Sequence, residues 1–256
     1  MRPSPILFRV TIKQRYNLVP SIPKPSITPI ACQCSYPESH PINYDKPLLN
    51  TKSPTYKHVL IPTTIPATEW PSKVELIPGS LLSEFSSSKK TALDPMYPIM
   101  ISNIQIDDPK GDVLIFPDNK WHKITQNIPE FMTQNLTPTN TPDQGLSNEN
   151  QYIFICGHAQ RDIRCGLIAP ILKKEFEHVL GHHGLLYNKE TNPGGIKVGI
   201  VSHIGGHAYA GNVVYFDKEG LGVWYGRVEV DHVDPIVKHT ILGNEIFKDL
   251  FRGRYQ

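Results

Sequence analysis

Two short motifs in the second half of this 256-residue chain each supply a pair of side chains of types that commonly bind metals in proteins. The first, ICGHAQRDIRCG, contains Cys156 and Cys165 with eight residues between them. The second, SHIGGHAYAGN, places His203 and His207 on a glycine-rich loop. Two thiolates and two imidazoles suit either zinc or an iron–sulfur cluster. Because the motifs lie far apart in sequence, a shared site requires a fold that brings them together.

The residues around the first motif predict a strand followed by a helix. The run YIFIC at 152–156 is short, apolar and typical of a buried strand. Apolar residues recur at helical spacing over 166–180, and Pro170 is expected in the opening turn, where its missing N–H costs no bond. Cys165 then lies just before a helix N-terminus, where the macrodipole and free amides favour a thiolate.

The remaining elements of this half predict the order β-α-β-β-β-α. Strands are expected at 196–202, 212–217 and 222–230, and a helix at 235–242. This order is compatible with a thioredoxin-like α/β sandwich, in which Cys156 lies at the strand-to-helix junction.

The first half also predicts an α/β arrangement, of uncertain topology. Strands are expected at 56–63 and 98–106, a hairpin at 112–124, and a helix at 79–93.

Composition predicts where the domains begin and end. Residues 133–150 are rich in Thr, Asn and Pro, which indicates a solvated linker. We therefore expect a smaller α/β domain over 31–132, carrying a Cys-x-Cys arm, and a second domain over 151–256.

The N-terminal segment differs in charge from the rest of the chain. Its first 35 residues contain five basic residues and no acidic one, which leaves 21 basic against 24 acidic residues elsewhere. We expect residues 1–30 to be a mitochondrial targeting segment, and a disordered basic tail is the alternative because prolines shorten any helix there. The slightly acidic body argues against nucleic acid as a partner, and no run is long enough to span a membrane.

Cys32 and Cys34 form a separate C-x-C pair. They are interpreted as a redox-active dithiol, a peripheral metal site or two reduced thiols, and the spacing does not choose among these. No dinucleotide fingerprint, P-loop or paired-carboxylate site is recognisable, so no nucleotide cofactor is predicted. The pattern favours an electron carrier or redox factor over a stand-alone catalyst.

Several residues beside the four candidate ligands are expected to support the site. His158 is predicted to act as a neighbouring donor rather than as a further ligand, and Gly205 and Gly206 indicate a close approach of the backbone to another group. The intervening charged residues would donate hydrogen bonds to sulfur or hold the loop through an Arg–Asp pair, and Asn212 would fix the second loop. These charged residues are Arg161, Asp162 and Arg164.

The chain resembles the sucrase/ferredoxin-like proteins, and most closely the fungal altered inheritance of mitochondria branch. The resemblance rests on three motifs in order, CGHAQRDIRCG at 156–166, HIGGHAYAGN at 203–212 and VWYGRV at 223–228. They are followed by a predicted helix ending in LFRG at 250–253, and the WP at 70–71 matches more loosely.

This resemblance implies a C-terminal thioredoxin-like ferredoxin domain in mitochondria. It implies a [2Fe-2S] cluster held by Cys156, Cys165, His203 and His207, with both histidines on one iron. Single-electron transfer or redox homeostasis with unknown protein partners is the function expected. A thiol-redox quality-control factor and a zinc-stabilised interaction module are the alternatives, although the ligand spacing is longer than in zinc fingers.

Overall fold

Most of the body of the protein is built around one long mixed β-sheet. The computed structural model describes residues 16–31, 36–138 and 145–255. The strands are β1 Asn17–Val19, β2 Lys57–Pro62, β3 Ile99–Gln105, β4 Val113–Phe116, β5 Lys120–His122, β6 Leu146–Ser147, β7 Tyr152–Cys156, β8 Lys197–Val201, β9 Val213–Phe216, β10 Gly222–Tyr225, β11 Glu245–Phe247 and β12 Phe251–Arg254. The helices are α1 Leu81–Ala92, α2 Ile128–Leu136, α3 Ile163–His182 and the short α4 Val233–Pro235, which continues into a π-helix at Ile236–Leu242. No helix in these ranges is long and apolar enough to cross a membrane.

The two halves of the chain repeat one order of elements. The first half runs β2-α1-β3-β4-β5-α2, and the second runs β7-α3-β8-β9-β10-α4. In each half the first two strands are parallel, and the third pairs with the first in the antiparallel direction. The β-α-β-β-β-α order predicted for the second half is therefore confirmed, and the first half shares it.

The halves join edge to edge into one sheet. Within the described residues, its order is β12-β10-β9-β7-β8-β3-β2-β4-β5-β6, and β3 pairs with β8 in the antiparallel direction. Gly199 lies at this joint, where an added Cβ would come within 2.8 Å of the Gln105 carbonyl oxygen. One apolar core runs through both halves and contains Val59 and Val113 from the first and Ile168 and Val213 from the second. The halves are therefore neighbours in one body.

The helices begin where the sequence supplies N-terminal caps. The Ser80 side chain accepts from the Ser83 N–H at the start of α1, and Asn127 accepts from Glu130 at the start of α2. Such caps satisfy amides that have no partner inside the helix. The predicted helix at 79–93 and the hairpin at 112–124 are both present.

Three local predictions were wrong. Asp162 caps α3, so the helix begins earlier than expected and Pro170 lies in its interior rather than in its opening turn. Residues 250–253 do not end a helix, because β12 pairs there with β10. The last strand of the VWYGRV motif ends at Tyr225 instead of residue 230.

The segment assigned to a solvated linker, 133–150, is structured where it is described. Its first residues form the last turn of α2, in which Leu136 is buried. Near its end, β6 pairs with β5, and the Asn150 side chain donates to the Pro193 and Gly195 carbonyls. Residues 139–144 lie outside the described part of the chain.

The later half of the predicted targeting segment, 1–30, is packed on the body. Strand β1 pairs with β11, and Tyr16 is buried. Asp234 accepts from the Ser26 N–H at 2.6 Å and from the Ser26 hydroxyl at 2.9 Å. Residues 1–15 lie outside the described ranges.

We predict that Asp234→Asn destabilises the protein by about 1–3 kcal/mol, the cost of weakened hydrogen bonds to a charged group. Burial opposes ionisation of Asp234, but hydrogen bonds from Ser26 and Ile27 hold its pKa below the ordinary 3.8. A depressed pKa contributes stability above the unfolded-state value, and this contribution is lost as the pH falls through the folded value.

The check is urea unfolding of both proteins at neutral pH and at successively lower pH. The gap between wild type and Asp234→Asn should close below the ordinary pKa. The exposed neighbour Asp231 serves as control, and an equal loss in Asp231→Asn would contradict the assignment.

Candidate functional site: a buried cysteine pair beside a glycine-rich histidine loop

Parallel pairing of β7 and β8 brings the two motifs to one edge of the sheet. Cys156 is the last residue of β7, and its Cα partner is Val201, the last residue of β8. The chain leaves β8 through Ser202 into the histidine loop. The first motif and the second motif therefore start side by side.

Cys156 and Cys165 are free, buried thiols in contact with each other. Cys165 lies in the first turn of α3, slightly inside the helix rather than just before it as expected. The Cys165 thiol hydrogen bonds to Cys156, and the His203 side chain also hydrogen bonds to Cys156. These contacts hold the pKa of Cys156 well below its ordinary value, whereas the hydrogen bond with Cys156 and burial hold the pKa of Cys165 well above. The pair therefore gives up its first proton readily and resists losing the second.

The histidine loop turns sharply at two glycines. Gly205 and Gly206 have φ of +85° and +74°, which side chains rarely adopt. A Cβ on Gly206 would come within 2.2 Å of the Arg252 guanidinium. The close approach predicted for these glycines is therefore to this guanidinium and, at Gly205, to the Ser53 side chain.

His207 begins a short 3-10 helix, His207–Tyr209, directly after Gly206. Its side chain lies outside the described part of the structure. The structure thus joins three of the four predicted ligands, Cys156, Cys165 and His203, and places the backbone of the fourth on the same loop.

His158 ties the two motifs together. Its Nδ1 accepts from the His203 backbone N–H at 3.2 Å, so the proton resides on Nε2, which donates to the Pro71 carbonyl at 2.9 Å. Burial lowers its pKa, and the neutral ring packs edge-on against buried Trp70. The WP at 70–71 thereby belongs to the surroundings of the site.

The charged residues between the cysteines hold the start of α3. Arg164 donates from Nε and Nη2 to the Asp162 carboxylate at 3.0 and 2.8 Å, which is the Arg–Asp pair of the scaffolding alternative. Arg164 also donates to the Pro41 carbonyl, and Arg161 donates to the Ser72 carbonyl. Paired Arg–carboxylate bonds of this kind fix geometry as well as charge.

Asn212 and Arg252 hold the histidine loop in place through hydrogen bonds to its backbone. The Asn212 side chain donates to the Gly206 carbonyl at 3.0 Å, while its own carbonyl accepts from the Cys156 N–H at 3.0 Å. Arg252 donates to the Asn212 side-chain oxygen at 2.6 Å and to the Gly205 carbonyl at 3.3 Å. Sequence reasoning gave Arg252 no role, although the LFRG motif that contains it was noticed.

A cleft of about 260 Å³ opens onto the site. It is lined by Lys89 of α1, by Arg161 and by the two histidines His158 and His203. His203 is only partly buried, whereas Cys156 and Cys165 are buried. Of these three side chains, the His203 imidazole is therefore the one nearest to solvent.

Within the described ranges, no group of three or more His, Cys, Asp or Glu side chains is arranged as a metal-holding set. Contacts run from Cys165 to Cys156 and from Cys156 to His203. Cys32 and Cys34 lie outside the described residues.

We predict that Gly206→Ala destabilises the protein more than Gly184→Ala. Both glycines have positive φ, and a Cβ costs about 1–2 kcal/mol in that conformation. Gly184 has open space around it, whereas Gly206 faces the Arg252 guanidinium. Gly206→Ala should lower the free energy of unfolding by about 1–3 kcal/mol more than Gly184→Ala, because the added Cβ displaces the hydrogen bonds that Arg252 donates. Equal losses in urea unfolding would show that the guanidinium contact is unimportant.

The chain is thus a mixed α/β protein that places a buried cysteine pair beside a glycine-rich histidine loop. Residues 48–253 match the sucrase/ferredoxin-like family, and the chain is a member of that family. The family resemblance predicted from the motifs is thereby confirmed.

The relatives place the chain in a fungal branch of this family. It is 37% identical to altered inheritance of mitochondria protein 32 of Debaryomyces hansenii, over 87% of this chain and 92% of the relative. The protein of the same name from Clavispora lusitaniae is 40% identical over 80% of this chain and 84% of the relative. Actin patches distal protein 1 of Saccharomyces cerevisiae is 34% identical to the chain, over 53% of this chain and 48% of the relative. No solved structure matches the chain.

Proposed function

We propose that this protein is a mitochondrial one-electron carrier that holds a [2Fe-2S] cluster through Cys156, Cys165, His203 and His207. The observation that carries the proposal is the contact of Cys156 with both Cys165 and the His203 side chain. When bound, such a cluster supplies reversible uptake of single electrons. The names of the relatives, which refer to mitochondrial inheritance, support the compartment.

The donor set fits the group. Thiolates bind iron–sulfur clusters generally, and two histidines in place of two cysteines occur on one iron in Rieske centres. The lowered pKa of Cys156 makes a thiolate available. The hydrogen bond with Cys156 and burial raise the pKa of Cys165, and the N-terminus of α3 offsets part of the cost of a second thiolate there. The backbone N–H of His203 is held by His158, which orients the loop.

The surrounding residues separate the sulfur side of the site from solvent. Both cysteines are buried, while His203 lines the cleft with Arg161 and Lys89. We propose that electrons enter and leave on the His203 side, because this is where a partner protein comes closest to the ligands.

We further propose that the second half is a thioredoxin-like domain. Its support is the order β7-α3-β8-β9-β10-α4, with the sheet order β8-β7-β9-β10 and a cysteine where β7 ends. The repeated order in the first half extends the proposal to a tandem of two such units, of which only the second carries the described thiols.

We predict that the anaerobically purified protein contains iron and sulfide and shows reversible visible and electron paramagnetic resonance changes on reduction. Cys165→Ser should weaken or abolish cluster binding, because a thiolate ligand is lost. His207→Cys should keep a cluster at a lower potential, because an added thiolate charge opposes the incoming electron.

The exposed His182 at the end of α3 provides a matched control, and His182→Ala should leave the spectrum unchanged. A colourless protein that contains zinc would overturn the electron-carrier proposal and support the zinc-stabilised interaction module.

A second candidate is a thiol-redox factor that uses Cys32 and Cys34. The specific observation is that both flanks of this pair are tied to α3. The buried Glu175 carboxylate accepts from the N–H groups of Ile30 and Ala31 at 3.0 and 2.9 Å, and Arg164 donates to the Pro41 carbonyl.

We predict for this candidate that Cys34→Ser traps mixed disulfides through Cys32, because the resolving thiol is absent. Electrophoresis without reductant measures the trapped species. The double variant Cys32→Ser/Cys34→Ser is the control, and equal trapping in the double variant would refute a role for these thiols.

A further inference from the structure

Arg252 is a buried cation that has no acidic partner among the residues the structure describes. Its side chain is fully excluded from solvent, in β12 at the edge of the sheet. It donates to the Asn212 side chain at 2.6 Å, to the Thr51 carbonyl and hydroxyl at 2.7 and 3.1 Å, and to the Gly205 carbonyl at 3.3 Å. All of these acceptors are neutral. No carboxylate in the described ranges forms an ion pair with it.

The other guanidinium near the cysteines is different. Arg164 is paired with the Asp162 carboxylate by two hydrogen bonds, so the pair contributes little net charge. A buried charge without a counter-charge is costly, and proteins retain one where another charge compensates it. Burial lowers the pKa of Arg252 to about 10, and Tyr209, Cys156 and Cys165 act in the opposite direction. Asn212 links Arg252 to the cysteine pair, because its backbone carbonyl accepts from the Cys156 N–H at 3.0 Å.

The charge of the proposed site makes this interaction depend on the redox state. Two ferric ions, two sulfides, two thiolates and two neutral imidazoles sum to zero. One electron from a one-electron donor takes this sum to minus one, without breaking a bond. A cation fixed in a low-dielectric interior therefore favours the reduced form over the oxidised form.

We propose that Arg252 is a positioning residue that raises the reduction potential of the site by holding a positive charge, which no carboxylate of the described residues neutralises, beside the loop that carries the proposed histidine ligands. This inference rests on the proposed function. It deepens that function by naming the residue that sets how strongly the electron is held. The same guanidinium also packs against Gly206, so its charge is held at a fixed place relative to the histidine loop.

The test is the midpoint potential of the loaded protein, measured by following the visible spectrum during titration with dithionite. Arg252→Gln removes the charge and keeps part of the hydrogen bonding. Its equilibrium constant for reduction should fall at least tenfold, a shift of about 59 mV for one electron. Arg252→Lys keeps the charge and should retain a potential close to that of wild type.

Asn212→Asp gives a second route if Arg252→Gln does not fold. It places a carboxylate where the guanidinium now meets an amide oxygen at 2.6 Å, so it neutralises the charge in place. Its potential should fall as in Arg252→Gln. Thr51→Val removes one hydrogen bond to Arg252 without changing charge, and its potential should stay unchanged.

The outcomes separate the two proposals. If the anaerobically purified wild type contains no iron or sulfide, the proposed cluster is refuted, and the proposed role of Arg252 is refuted with it. Loaded Arg252→Gln and Asn212→Asp with wild-type potentials overturn the role of Arg252 alone. Equal shifts in Arg252→Lys and Arg252→Gln would assign Arg252 a purely structural part.

Discussion

The pairing of β7 with β8 is the constraint on which the site depends. Parallel strands end at the same edge of a sheet, and the register Cys156↔Val201 aligns the last residues of the two strands. A shift by one residue would turn every side chain of a strand to the opposite face. Cys156 would then leave the apolar surroundings it shares with Cys165. The sheet register thus decides whether the two motifs meet.

Polar contacts then fix the position of the two motifs relative to each other. His158 spans from the first motif to the backbone of the second, and Asn212 bonds to both Cys156 and Gly206. Buried polar groups of this kind specify one arrangement when every member has a partner. The pair between Arg164 and Asp162 does the same at the start of α3. The contacts of His158 with His203 and of Asn212 with Cys156 join residues that local sequence alone could not bring together.

Sequence patterns predicted local features well because these depend on nearby residues. The apolar run before Cys156, the helix after it and the hairpin at 112–124 follow from periodicity and turn residues, and all are present. Asn212 was expected to fix the loop, and its bond to the Gly206 carbonyl does so.

The features that were missed depend on contacts between distant residues. The edge-to-edge joint of β3 and β8 and the repeated topology involve pairings across the whole chain. The burial of Arg252 beside Thr51 and Asn212 is equally invisible in the LFRG motif. Pro170 was misplaced because the Asp162 cap sets the helix start, and a cap is a weaker signal than the apolar period. The four proposed ligands remain a prediction, since the His207 side chain lies outside the described residues.

The bonds between Thr51 and Arg252 join positions 201 residues apart. Contacts this distant in sequence form late, because the chain must first close a long loop. A polypeptide still emerging from a ribosome lacks this closure, even when both motifs are already available. Completion of the network around Arg252 therefore has to await nearly the entire fold, and insertion of the proposed cluster into a finished pocket would come after synthesis of the polypeptide.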